Sequence, residues 1–202
     1  MQVTFWGVRG STPCPSEANR RYGGNTACVS LEVPGEDPIL LDLGTGLRFY
    51  GAGQPADGSF RGTALITHIH WDHVQGLPFF GTFYQTGWTP TIWAPVLQHI
   101  DVAFVDTIFQ SPFFPIPVDH LPSRPGVQLI QPGEIEVEGF RIRVQPLTHP
   151  GGAFAYRITG DAGESYETLY AIHRFREAEM EAVVDLGRQV RRPLRRQDLL
   201  QL

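Results

Sequence analysis

THIHWDHVQGLPFF, residues 67 to 80, holds three of the chain's seven histidines and an aspartate within six positions: His68, His70, Asp72 and His73. The segment before it, GTALIT (62–67), has an apolar ALIT core that reads as a buried strand ending at the cluster. In extended backbone alternate side chains share a face, so His68 and His70 can converge on one point. Asp72 and His73, just past the strand, can aim at a second point nearby. For a single histidine, local hydrogen bonding would be the simpler reading. Three imidazoles and a carboxylate at the end of a buried strand are instead a ligand set for zinc or another borderline divalent ion. Such an ion with an open position lowers the pKa of bound water to about 7. Two ions about 3.5–4 Å apart can clamp a phosphodiester during in-line attack.

The rest of the chain is consistent with a globular enzyme. Its 202 residues suffice for one domain, and 42% hydrophobic with 18% charged residues argues against general disorder. Twenty-two glycines and seventeen prolines favour turns and short strands over a helical bundle. Cys14 and Cys28 lack CxxC spacing and are too few for a disulfide framework, so a reduced interior is expected. The opening MQVTFWGVRG has no apolar signal region and no run approaches membrane-span length; a cytoplasmic protein with no membrane partner is the expectation. All sixteen basic residues are arginine. Five fall in residues 188–202 against Asp198 alone, whereas residues 1–187 are net acidic. A basic end of that kind raises a nucleic-acid-binding tail as one reading.

Strands are expected at VTFWGV (3–8), CVSLEV (28–33), ILLDLG (39–44), the ALIT core and TIWA (91–94). Pro95 to Gln110 has helical periodicity, with Pro95 suited to a first turn. The proline-dense stretch 111–126 is a connector or lid. VQLI (127–130), EIEVEGF (134–140), RIRVQPL (141–147), AFAYRI (153–158) and ETLYAI (167–172) read as an antiparallel meander, followed by a helix from about Arg174 to Val190. The class is α/β with mostly β content.

His68-x-His70-x-Asp72-His73 resembles the signature of the metallo-β-lactamase-fold hydrolases, and LLDLGTG (40–46) and LTHPGG (147–152) agree with it. FWGVRGSTP (5–13) and RYGGNTACVSLEV (21–33) narrow the resemblance to a bacterial subgroup near the ribonuclease Z and cyclic-nucleotide phosphodiesterase branches, over residues 1 to about 172. The resemblance implies an αββα sandwich with metals at one edge. It implies that His68, His70 and His149 hold one ion, zinc or alternatively manganese, and that Asp72 and His73 belong to a second. Asp72 would also act in catalysis. Asp42 would lie beneath the ligands and orient them, although the residues alone leave open a turn-stabilising Asx role. The implied activity is hydrolysis of a phosphodiester, in a small molecule, a nucleotide or nucleic acid, by metal-bound hydroxide. The oligomeric state is left open. His99 and His120 read as solvated or locally bonded. The aromatic residues Trp71, Phe79, Phe80, Phe83, Tyr84 and Trp88 read mainly as core, with a substrate wall as the other option. Cys28 reads as a small core residue.

The resemblance breaks downstream. A bridging aspartate is expected in a Thr-Asp segment after ETLYA, and a final histidine beyond it, but Ile172-His173-Arg174-Phe175 follows instead. Codons for Thr-Asp-Ser read one base out of phase give His-Arg-Phe, the residues at 173–175. The expectation is therefore a metallo-β-lactamase-like domain at 1–187, a basic tail at 188–202 that reads as out-of-frame translation, and an incomplete C-terminal part. A non-catalytic remnant binding at most one metal is the alternative reading.

Overall fold

The computed structural model describes residues 1–88, 90–97, 100–160, 163 and 165–167. Six strands form the first sheet in sequential order: β1 (Gln2–Gly7), β2 (Cys28–Glu32), β3 (Ile39–Leu41), β4 (Thr63–Leu65), β5 (Thr91–Pro95) and β6 (Gly126–Ile130). β1, β2 and β3 are antiparallel neighbours, and β3 to β6 are parallel. The second sheet is an antiparallel meander of β7 (Gly133–Val137), β8 (Phe140–Leu147), β9 (Ala153–Thr159) and β10 (Ser165–Glu167).

Alternation along the strands divides the apolar side chains between two cores. Leu31, Ile39, Leu41 and Leu65 face the second sheet and meet Phe140, Ile142, Val144, Phe154, Tyr156 and Ile158. Cys28, Leu40, Ala64 and Ile66 face the other way, against α1 (Leu47–Ala52), the aromatic turns at 77–84 and α3 (Phe104–Ile108). β3 and β4 are buried on both faces, which is why they read as unbroken apolar runs. On the outer face of the second sheet Arg141, Arg143 and Arg157 are exposed, and Arg143 pairs with Glu134 across the β7/β8 register.

Two sequence expectations are corrected. VQLI does not join the meander: β6 pairs in parallel with β5, with Trp93 opposite Gln128. Among the described residues it is the edge of the first sheet, with Gln128 and Leu129 exposed and Ile130 buried. Pro95 does not open a helix but ends β5 opposite Ile130, and α3 begins only at Phe104. ETLYAI is described only as far as Glu167, in β10. His99, the expected helix at 174–190, residues 172–175, the tail and the boundary at 187/188 lie outside the described residues. No helix among the described residues is long and apolar enough to cross a membrane.

Candidate metal centre

Parallel neighbours β3 and β4 end at the same edge of the sheet, the usual place for a site in an open α/β sheet. Asp42 follows β3, and Thr67-His68 follows β4. Asp42 N–H donates to the Leu65 carbonyl (3.0 Å), while Thr67 N–H donates to Asp42 Oδ1 (2.8 Å). The second sheet reaches the same edge, where Phe154 N–H at the start of β9 donates to the Thr67 carbonyl (2.9 Å). The His149-Pro150-Gly151-Gly152 turn between β8 and β9 closes on itself through Gly152 N–H to the His149 carbonyl (2.7 Å). Gly151 and Gly152 both have positive φ, 81° and 85°, which glycine adopts without strain.

After His70 the chain enters one helical turn, α2 (Trp71–Val74), which buries Asp72 and His73 and leaves Trp71 59% exposed. The turn after β3 clamps α2: Leu43 N–H donates to the His73 carbonyl (2.7 Å) and Gly76 N–H to the Leu43 carbonyl (2.9 Å). A Cβ at Gly44 would collide with the Asp72 carbonyl oxygen and Thr26 Oγ1. Only glycine allows the two segments to pass this closely, which gives Gly44 of the DLGTG run a steric reason.

The structure brings the sequence-predicted residues together. One donor atom from each of His68, His70 and His149 lies within 4.8 Å of the others. His149 Nε2 is 3.0 Å from His70 Nδ1, and the His68 ring centroid is 4.6 Å and 4.4 Å from those of His70 and His149. His73 Nε2 lies 3.5 Å from Asp72 Oδ2. Donors on one ion with bonds of about 2.1 Å stand about 3.0 Å apart at a right angle and about 3.4 Å apart at the tetrahedral angle. The 3.0 Å His70–His149 spacing and the 3.5 Å Asp72–His73 spacing match these values, and the donor chemistry suits a divalent ion.

Asp42 is fully buried, with φ 56°, and is the hub beneath these residues. Its Oδ2 lies 2.7 Å from His73 Nδ1, and Thr67 Oγ1 donates to both carboxylate oxygens (3.1 and 3.0 Å). Thr67 Oγ1 in turn lies 3.0 Å from His68 Nδ1. Asp42 is thus a partner of the site and not merely a turn residue. Burial, and secondarily the charge of His73, pushes the His68 pKa down to about 3, so its imidazole is neutral and competent as a ligand at neutral pH. Burial would also lower His73, but the charge and hydrogen bond of Asp42, followed by Asp72, outweigh it and raise its pKa. The two carboxylates therefore favour positive charge at His73, whether carried by a proton or an ion.

Sequence reasoning missed two contacts. Ser11 N–H donates to Asp72 Oδ2 (2.7 Å), and Thr67 links Asp42 to His68. Ser11 lies in FWGVRGSTP, at φ 68°, so the segment that narrowed the resemblance also reaches Asp72 with its backbone. Arg9 N–H donates to the Asn25 carbonyl (2.9 Å), which sets this segment beside RYGGNT. A main-chain donor leaves no mark in residue type. Among the aromatics, Phe80 and Phe83 are buried and Trp88 packs against them, whereas Phe79 is 59% exposed. His120 is exposed and Cys28 is fully buried.

The backbone resembles solved metallo-β-lactamase-fold structures. Zn-bound PqqB from Methylobacterium extorquens matches 91% of this chain and 67% of its own at TM-score 0.59 and 16% identity. Human tRNase Z, short form, matches 92% of this chain and 73% of its own at 0.56 and 22%. Among curated proteins, ribonuclease Z of Parasynechococcus marenigrum is 29% identical over 170 residues, and that of Natronomonas pharaonis 26% over 166, each across 78% of this chain. The chain has the metallo-β-lactamase fold. No family profile matches it. This metallo-β-lactamase-fold chain spans about half the length of the curated relatives it matches.

Proposed function

We propose that the chain is a metal-dependent phosphodiester hydrolase acting on nucleotides or nucleic acid. The observation that carries this reading is the convergence of His68, His70 and His149 beside the Asp72–His73 pair. The first three would hold one ion, and Asp72 and His73 would contribute to a second. Zinc suits neutral imidazole donors best, with manganese as the other choice. When bound, the ion supplies Lewis acidity and activates water at neutral pH. The chain's own contribution is orientation. Asp42 directs His73, the Ser11 backbone amide fixes one oxygen of Asp72, and the Asp72 carboxylate takes the proton lost by the attacking water. Sequence similarity to proteins named ribonuclease Z supports a phosphodiester over a lactone, thioester or β-lactam.

The test is hydrolysis of a bis-aryl phosphodiester by purified protein, with and without added zinc or manganese. Activity should require the metal and fall at least a hundredfold in His68→Ala. Folded, metal-loaded protein with no activity above that variant refutes the reading.

A further inference from the structure

We propose that Thr67 is a positioning residue whose hydroxyl relays the charge of Asp42 to His68 and fixes which imidazole nitrogen faces the metal centre. The part of this inference that concerns metal affinity rests on the reading of the histidine cluster as a metal site.

As a carboxylate, Asp42 can only accept hydrogen bonds, whereas the Thr67 hydroxyl has one proton to give. Two candidate acceptors lie within reach: the Asp42 oxygens at 3.1 and 3.0 Å, and His68 Nδ1 at 3.0 Å. Donation to His68 would turn the hydroxyl's lone pairs toward two carboxylate oxygens in a buried site. Donation to Asp42 forms a charge-assisted bond and leaves a lone pair facing His68. Nδ1 of His68 must then carry the ring proton, and Nε2, on the far side of the ring, keeps the free lone pair needed for a ligand. His73 is set the same way without an intermediary, because its Nδ1 lies 2.7 Å from Asp42 Oδ2.

One buried carboxylate therefore sets two imidazoles, one directly and one through a hydroxyl. His68 belongs to the three-histidine group and His73 to the pair with Asp72, so both donor groups depend on Asp42. Of these two imidazoles, the Thr67 hydroxyl meets His68 directly and reaches His73 only through the shared Asp42 carboxylate. Partners of this kind change metal affinity by about 10–100-fold.

The closing experiment compares wild type, Thr67→Val and Thr67→Ser. Valine keeps the β-branched shape and removes the hydroxyl; serine restores it. Long-range 15N–1H NMR on metal-free protein reads each histidine tautomer, and chelator competition reads zinc affinity. Wild type and Thr67→Ser should show His68 protonated at Nδ1. Thr67→Val should lose that preference, bind zinc about 10–100-fold more weakly, and keep His73 protonated at Nδ1. A simple packing defect would not give this selective pattern. The proposal is overturned if Thr67→Val leaves the His68 tautomer unchanged and zinc affinity within twofold. If Thr67→Val does not fold, the wild-type spectrum decides: His68 protonated at Nε2 overturns the relay, and protonation at Nδ1 that Thr67→Ser retains upholds it. The NMR readout needs neither metal nor substrate, so it stands apart from failure of the hydrolase reading.

Discussion

Replacing Asp42 by asparagine tests the whole centre with one nearly isosteric change. Asparagine adopts positive φ about as readily as aspartate, so the backbone at φ 56° is not newly strained. What changes is the hydrogen-bond count. The carboxylate is the acceptor for Thr67 N–H, Thr67 Oγ1 and His73 Nδ1. An amide offers one oxygen and turns an NH2 toward one of those donors. Orienting that oxygen to Thr67 N–H leaves His73 facing a donor, which favours the other His73 tautomer and removes the lone pair from Nε2. Loss of a charge-assisted bond at a buried site costs about 1.5–3 kcal/mol. For a chain of this size that corresponds to a melting temperature lower by roughly 3–12 °C. Zinc binding should weaken by about 10–100-fold, or about 1.4–2.8 kcal/mol. Thermal melts in excess chelator isolate the stability effect from metal loss, and competition titration gives the affinity. A variant that melts within about 1 °C of wild type and binds zinc equally would refute the role given to Asp42.

Two further outcomes follow from buried groups. The Tyr156 hydroxyl donates to the Ile66 carbonyl (2.6 Å), tying the second sheet to the strand that leads into His68; Tyr156→Phe should cost about 1–3 kcal/mol in urea unfolding. An unchanged midpoint would show that this bond contributes nothing. Burial, reinforced by the charge of Asp42, pushes the Cys28 thiol well above its ordinary pKa, while Cys14 is partly accessible. Native protein should release one thiol equivalent to a thiol reagent at pH 8 and two after denaturation. Two rapid equivalents from native protein would contradict the buried placement.

Much of the site could be read because its donors are close in sequence. His68 and His70 lie two residues apart in the short segment that follows β4, where their rings meet at 4.6 Å, and one helical turn then buries Asp72 and His73. The resemblance, and not spacing, nominated His149, and the meeting of the two sheets at Thr67 places it. The β3 and β4 runs were legible because strands buried on both faces are apolar throughout. The partner of VQLI is not legible in the sequence, because four residues do not encode whether they pair with the next strand or with one across a long connection.

The sequence by itself determined the histidine and aspartate cluster that follows β4 and the resemblance that names the fold. Tertiary structure alone decided which groups orient those residues. The Ser11 backbone amide and the Thr67 hydroxyl act on partners that chain order does not announce, at Asp72 and Asp42. Hydrogen-bond direction depends on positions in space within a few tenths of an ångström, and that is fixed only when the two sheets close over Asp42.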